Sequence, residues 1–369
     1  MEILRSIPQL EAVRDEWNAL ADHEGHALLR HDWFLSAART LHAPTDPAVV
    51  VTRRWGRVEG IAPLVESSAY GMRRLRFIGA SALHEPARLL ARDARARVAL
   101  LDAMARLDRP LALERFAIDS VELDELHHRV RGQGWLVVRQ TAPALRVELE
   151  GNGLRPLDRM SSKLRYDLKR ARSRAAEFGD MTIAVTTPDP QQVDEALDAF
   201  IQVESSGWKR QSGSALALRP RLQEFFRTYG RLASASGLLR FFWLRIGGSI
   251  AAAKIAVEVY DRLWVLKIGY NASMARCSPG FLLTAETITY AASRGLKSYE
   301  FLGSAEDWER RWRPVDRPTN LLVFYPWSMR GCLGASLDIA GSAWRRVSRE
   351  PRALVPRSAR TRAVASHAP

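Results

Sequence analysis

Leu263–Gly303 reads LWVLKIGYNASMARCSPGFLLTAETITYAASRGLKSYEFLG, and the fold expected of the whole chain follows from it. The apolar run Leu263–Tyr270 reads as a strand and enters a polar loop that ends at Ser278-Pro279-Gly280. A helix follows, and Ser298–Leu302 reads as a second strand. Ser278 suits the N-cap, and Pro279 suits the first helical position, where a missing N–H costs nothing. Gly280 allows a ligand close to the backbone. The N–H groups of such a first turn, at the positive end of the helix dipole, suit a phosphate or pyrophosphate. The same pattern also fits a capped strand–helix–strand crossover that binds nothing.

The preceding segments form a meander. Leu238–Ile246, Ile250–Tyr260 and Leu263–Tyr270 read as strands, joined by a two-residue turn at Gly247-Gly248 and a tight connection at Asp261-Arg262. Helical spacing covers Gln191–Ser205, Pro220–Ala233 and Ser161–Phe178, and Met181–Thr186 reads as a strand. In Ser161–Phe178 the apolar stripe is Leu164, Leu168, Ala171, Ala175 and Phe178, while Arg165, Lys169 and Arg172 line another face. The segment Ser206–Arg219 is polar. Leu321–Tyr325 closes the pattern as a strand. Beyond Trp327 come one candidate helix (Leu333–Val347) and a basic tail expected to be disordered.

Nearer the N-terminus, residues 8–22 read as one helix with Leu10, Val13, Trp17 and Leu20 on a face. A short helix over Trp33–Leu41 and several strands follow, with Trp135–Gln140 and Leu145–Leu149 last. Gly151-Asn152-Gly153 reads as a boundary. The two sides of it resemble each other. Gly60 aligns with Gly248, Phe77-Ile78-Gly79 with Lys267-Ile268-Gly269, and Glu114, before Phe116, with Glu300, before Phe301, the glycines and glutamates at a near-constant offset of 186–190 residues. A duplicated α+β unit is expected, with boundaries 1–150, 151–327 and a tail 328–369. Only the second copy carries Ser-Pro-Gly. The corresponding stretch Ala80–Ala91 has no glycine and carries Glu85-Pro86, so the first copy is expected to be a structural or substrate-shaping half.

Composition narrows the function. The chain has 369 residues, 47% hydrophobic and 26% charged, which are values of a globular protein. The net charge of +14 at first suggests nucleic acid or an anionic surface. Lysine, however, occurs only at 163, 169, 209, 254, 267 and 297, a bias that GC-rich coding produces without functional demand. Seven arginines (345, 346, 349, 352, 357, 360 and 362) sit in the last 25 residues, 345–369, against the single acid Glu350. No basic stripe with interleaved aromatics marks a nucleic-acid site. Cys277 and Cys332 give neither a disulfide framework nor a metal spacing, and no metal is expected. The N-terminus lacks a signal-peptide pattern and no apolar run is long enough to span a bilayer, so a cytoplasmic setting is expected.

A strand meander, a strand, a glycine-containing loop opening a helix, and a further strand resemble the GNAT acyltransferase fold. The stretch Ser278-Pro279-Gly280-Phe281-Leu282-Leu283 is similar to the cellulose-biosynthesis (CelD/BcsL) branch, related to FemAB-like double-GNAT proteins. Ser162-Lys163-Leu164-Arg165, Glu204-Ser205-Ser206-Gly207-Trp208-Lys209, Gly248 before Ile250-Ala251, and Phe301-Leu302-Gly303 ahead of Trp312 add to the likeness. Where the family often has Tyr-Lys after the Phe-Leu-Gly strand, this chain has Trp308-Glu309. The resemblance implies two tandem GNAT-like α/β domains, each with a mixed, mostly antiparallel central sheet flanked by helices, the first one degenerate. It implies transfer of an acetyl or other acyl group from acyl-CoA to an amine or hydroxyl, often in making extracellular polysaccharide, with a saccharide-type acceptor. The pyrophosphate is expected on Ser278, Pro279, Gly280, Phe281, Leu282 and Leu283, and the thioester along Ile268, Gly269 and Asn271.

The candidate catalytic residues are Glu204, Lys254, Tyr270 and Asp307. Glu204 ends a helix and is either a general base or a solvated helix-end carboxylate. Lys254, among small apolar residues, is either a snorkelling edge residue or a desolvated cleft group. Tyr270 is a general acid toward the departing thiolate or a packed aromatic. Asp307 and Glu306 are the alternative base or exposed loop acids. Trp208 and Lys209 are candidates for the acceptor pocket, and Lys163 and Arg165 for phosphate groups. Two rival functions stay open: a FemAB-like transferase using aminoacyl-tRNA, and a non-catalytic scaffold of a polysaccharide-secretion complex that touches an anionic membrane through the tail.

Overall fold

The computed structural model describes residues 1–69, 72–150, 160–206 and 216–349. In chain order the first half holds β1 (Glu2–Leu4), α1 (Ile7–Ala12), α2 (Arg14–Glu24), α3 (His31–Thr40), β2 (Val49–Arg54), β3 (Arg57–Ala62), β4 (Leu64–Ala69), β5 (Met72–Phe77), α4 (Ala80–Leu83), β6 (Leu90–Ala91), α5 (Ala94–Ala105), β7 (Leu111–Phe116), α6 (Ser120–Val130) and β8 (Gly134–Glu148). The second holds α7 (Ser162–Ala176), β9 (Met181–Thr186), α8 (Val193–Ser205), α9 (Pro220–Ala235), β10 (Leu239–Ile246), β11 (Ser249–Val259), β12 (Arg262–Tyr270), α10 (Pro279–Ser293), β13 (Ser298–Leu302), β14 (Val315–Pro326) and α11 (Met329–Arg349). The glycine pair at 151–153, the Tyr70-Gly71 turn and the tail beyond 349 lie outside the described residues.

One ten-stranded sheet runs through both halves in the order β4-β5-β7-β14-β8-β13-β12-β11-β10-β9. A four-stranded sheet, β1-β2-β3-β6, packs with the N-terminal helices. The large sheet is mostly antiparallel, and β5–β7 and β12–β13 pair in parallel. Outward from β14 and β8 the two sides begin alike, each with a strand paired in parallel to the next (β7–β5 and β13–β12), but one side then ends on β4 and the other continues through β11, β10 and β9. The last strand of each half has crossed over: β8 pairs with β13, and β14 pairs with β7. The copies also share a backbone irregularity. Arg115 and Leu302, near the ends of β7 and β13, take left-handed φ values of 54° and 60°, and the ladder register slips at both places. A bulge of this kind turns the strand end away from its partner. Side chains from both halves fill one apolar cluster, with Trp17, Phe34, Phe200, Phe225 and Trp264 among its buried members.

Three local expectations are corrected. The helix read over 8–22 is two helices, because Val13 leaves helical geometry at φ −100° and ψ 12°. Trp135–Gln140 and Leu145–Leu149 are one strand, β8. Pro143 cannot donate to a ladder and therefore reads as a break. Here Pro143 stands near Pro318 of β14, and the pairing slips between Arg317 and Thr319 instead of stopping. The turn between β11 and β12 is Tyr260-Asp261, both at positive φ, whereas Gly247 and Gly248 form the expected hairpin turn at φ 56° and 79°. Among the described residues no helix is long and apolar enough to cross a membrane.

Candidate active site

A cleft of about 510 Å³ opens where β12 ends and α10 begins. β13 pairs with β12 only over Arg262–Trp264. Beyond that register Ile268, Gly269 and Tyr270 line one wall of the cleft, Ser278–Phe281 a second, Glu204 a third, and Glu306, Trp308, Glu309 and Arg311 a fourth.

The helix start differs from the expected one. Ser278 holds the N-cap position but sits in the left-handed region (φ 52°, ψ 56°), and its hydroxyl makes no cap hydrogen bond. Its carbonyl accepts the N–H groups of Phe281 at 3.0 Å and Leu282 at 3.1 Å. Among the described residues the Gly280 N–H is without a hydrogen-bond partner, so it is the free donor of this turn. The polar loop before it is a 3₁₀ helix, Ala272–Cys277, capped by the Asn271 side chain through Ser273 N–H at 3.0 Å. A Cβ at Gly280 would lie 3.6 Å from Tyr270 Cδ1 and 3.7 Å from Ile268 Cδ1, which is ordinary contact, so anything larger enters the cleft.

Below this turn lies Lys254, on β11 opposite Ile268 and 1% exposed. Its Nζ is 2.9 Å from Thr284 Oγ1, 3.0 Å from Thr287 Oγ1 and 2.6 Å from the Tyr299 hydroxyl. Thr284 Oγ1 donates in turn to Gly280 O at 2.8 Å, so the amine is wired to the first turn of α10. Burial holds its pKa well below the usual lysine range, and the Glu309 charge opposes that shift. Nζ donates to all three hydroxyls, three N–H groups for three oxygen acceptors. Lys254 therefore supports the cleft floor and is not among the lining side chains.

Glu204 is 3% exposed and its Oε2 accepts the Leu216 N–H at 2.8 Å. Gly269 makes this packing feasible, since a Cβ there would lie 2.8 Å from Glu204 Cβ and 2.9 Å from its Cα. Glu309 is 7% exposed, and its Oε2 accepts the Glu306 N–H at 2.9 Å. Burial pushes its pKa up to about 7, with the Glu306 and Glu85 charges adding and the Glu306 N–H and Lys254 opposing. Trp308 Nε1 donates to Glu306 Oε2 at 2.6 Å. The Arg311 guanidinium stacks 4.6 Å from the Phe281 ring centroid and pairs with Asp167 of α7.

Of the residues expected from sequence, the cleft unites Glu204, Ile268, Gly269, Tyr270, Ser278, Pro279, Gly280, Phe281 and Glu306. Leu282 and Leu283 are fully buried core residues of α10. Asn271 caps the 3₁₀ helix, and Asp307 is exposed outside the lining. Lys163 and Arg165 lie exposed on the first turn of α7, where Arg165 donates to Met160 O at 2.9 Å. Trp208 and Lys209 lie outside the described residues. Sequence reading missed Glu309 and Arg311. The available signal was the departure at Trp308-Glu309, because a family lysine replaced by an acid marks altered chemistry at that place. Among the described residues no group of His, Cys, Asp and Glu is arranged to hold a metal.

Residues 162–310 match the family described as Acetyltransferase (GNAT) domain. No curated protein matches the chain. Among solved structures, FemX aligns at 11% identity, with 87% of this chain and 97% of that one covered and a TM-score of 0.58. L-PGS from Bacillus licheniformis aligns at 12% identity, covering 90% and 96%, with a TM-score of 0.55. The C-terminal domain of a protein assigned as a lysylphosphatidylglycerol synthetase from Agrobacterium fabrum aligns at 13% identity over the same shares, also at 0.55. At such identities the likeness is one of fold. All the lining residues of the cleft but Arg311 lie within residues 162–310, the span that matches the GNAT-type acetyltransferase domain.

Proposed function

We propose that the protein transfers an acetyl or other acyl group from acyl-CoA to an amine or hydroxyl of a saccharide-type acceptor. The observation that carries the reading is the junction of a helix start and a deeply set carboxyl, Glu309, in one cleft of about 510 Å³. The residues present fit the phosphate end of acyl-CoA. The Gly280 N–H points from the positive end of α10, no serine hydroxyl competes for the first turn, and Gly280 leaves room for close approach. Acyl-CoA supplies an acyl carbonyl already activated as a thioester. Ile268–Tyr270 hold the arm that carries it. Glu309, poised at a pKa of about 7, removes the proton of the attacking amine or hydroxyl. Glu204 forms the opposite wall, and Tyr270, which also lines the cleft, protonates the departing thiolate. Lys254 holds the helix start in place from beneath. Trp208 and Lys209 remain the candidates for the acceptor side, and a role in making polysaccharide in the cytoplasm is part of the same proposal.

A second reading has a specific observation in its favour, the fold likeness to FemX and to the lysylphosphatidylglycerol synthetase domain. In that reading the acyl donor is an aminoacyl-tRNA. Calorimetric titration separates the two. Acetyl-CoA is expected to bind the wild-type protein and to lose binding to Gly280→Glu, whose side chain fills the cleft and adds negative charge. Binding that is unchanged in the variant removes the helix start from the site. No acetyl-CoA binding, with affinity for aminoacyl-tRNA, favours the second reading.

A further inference from the structure

The loop that carries Glu309 is held from the other half of the chain. Gly303, the first residue after β13, donates its N–H to Glu85 Oε2 at 2.7 Å. The Gly303 carbonyl accepts from the buried Arg115 guanidinium, which also donates to Ala142 O. Two residues on, the Ala305 N–H donates to Pro143 O at 2.9 Å. Glu85, Arg115 and Pro143 all belong to the first copy. The loop itself has little regular structure until the 3₁₀ turn Glu309–Trp312.

The local sequence explains why Glu85 reaches this far. α4 ends at Leu83, and His84 turns the chain through the left-handed region at φ 58°. Pro86 then keeps Glu85 out of the helical region. Ala87 ties the segment to the end of β7, donating to Arg115 O at 3.1 Å and accepting from Ala117 N–H at 2.9 Å. This is the Ala80–Ala91 stretch in which the first copy lacks the Ser-Pro-Gly helix start. Where the second copy opens a ligand cleft, the first supplies an acid and an arginine that grip the second copy's Gly303.

We propose that Glu85 is a positioning residue of the cleft, which fixes the Gly303–Glu309 loop and with it the Glu309 carboxylate, and that the degenerate first copy is retained as a working part of the active site. The inference rests on the acyl-transfer reading only for its rate consequence. The clamp itself stands on geometry. The charged groups facing Glu85 are Lys267 of β12 and Arg115 of β7. Those facing Glu309 are Glu306 of its own loop, Lys254 of β11 and Glu85.

The test compares Glu85→Ala with Glu85→Gln, whose amide oxygen still accepts the Gly303 N–H. Hydrogen exchange of the full chain reads the clamp without any substrate. Glu85→Ala is expected to raise exchange across Gly303–Glu309 while the β10–β12 amides stay protected, and Glu85→Gln is expected to stay near wild type. Unchanged exchange of that loop in a folded Glu85→Ala protein overturns the proposal. With acetyl-CoA and an amine acceptor, Glu85→Ala is expected to lower kcat about tenfold, the scale of one lost hydrogen bond. Its KM for acetyl-CoA should be little changed. In both variants the acid limb of the rate profile is expected to move to lower pH, since Glu85, which burial itself pushes up to about 7, raises the Glu309 pKa where it is ionised, and that charge is gone. A merely structural role would leave that limb in place, so an unmoved limb counts against Glu85. Absence of acetyl-CoA binding by the wild type defeats the acyl-CoA reading alone, and the exchange result still decides the clamp.

Discussion

At the scale of single residues, the cleft's carboxylates differ by environment. Glu204 and Glu309 each accept a backbone N–H, and burial, with the Glu306 and Glu85 charges adding, pushes the Glu309 pKa up to about 7. A base that titrates near neutrality combines the correct form with useful basicity. The rate of transfer is therefore expected to rise with pH through about 7, and Glu309→Gln is expected to lower it by about 10²- to 10⁴-fold. A pH–rate profile of both proteins checks this. Stability carries the same signature with opposite sign. An acid raised from 4.5 to about 7 binds a proton that the unfolded chain has lost in that window, so stability falls as pH rises through it. Thermal denaturation of Glu309→Gln should show a shallower fall over that range. Glu204, Tyr270 and Gly280 were legible in the sequence because each sits next to an element boundary that pattern reveals. Glu309 was not, because its burial comes from walls contributed by distant strands.

At the scale of elements, α10 shows how a cap position and a cap interaction separate. Pattern places Ser278 at the N-cap, and it is there, but its backbone is left-handed and its hydroxyl makes no cap hydrogen bond. An ordinary N-cap serine replaced by alanine costs about 1 kcal/mol. Ser278→Ala is expected to cost less than about 0.5 kcal/mol, because it removes no cap hydrogen bond. Ser278→Gly is expected to stabilise by about 1 kcal/mol, since glycine takes positive φ without the Cβ clash. Chemical denaturation decides between them, and a normal capping loss for Ser278→Ala would contradict the geometry. The strained start leaves the Gly280 amide free, which the sequence alone does not reveal.

At the scale of the whole molecule, the exchanged strands decide how independent the copies are. β14 lies between β7 and β8, and β8 between β14 and β13. A chain ending at residue 150 would lack β14 and leave both β7 and β8 as uncovered edges, with the apolar inner faces of Leu322 and Phe324 missing from their cluster. Residues 1–150 expressed alone are expected to aggregate or to lack a cooperative thermal transition, whereas residues 1–349 should melt as one unit. Circular dichroism and sedimentation of both chains check this. A monomeric, cooperatively folding 1–150 fragment would show that the crossed strand is dispensable.

By itself the sequence determined the periodic elements and the loop-to-helix junction of the cleft, because these depend on neighbours in the chain and on residue-by-residue conformational preference. Tertiary structure decided which strands were exchanged, that Lys254 lies under the cleft and not in it, and that Glu309 and Glu85 flank the same loop. Those outcomes depend on burial and on hydrogen bonds between residues as much as 218 positions apart, as in the Glu85–Gly303 contact. Local pattern carries no information about desolvation at that distance, and desolvation sets the charge state of the cleft.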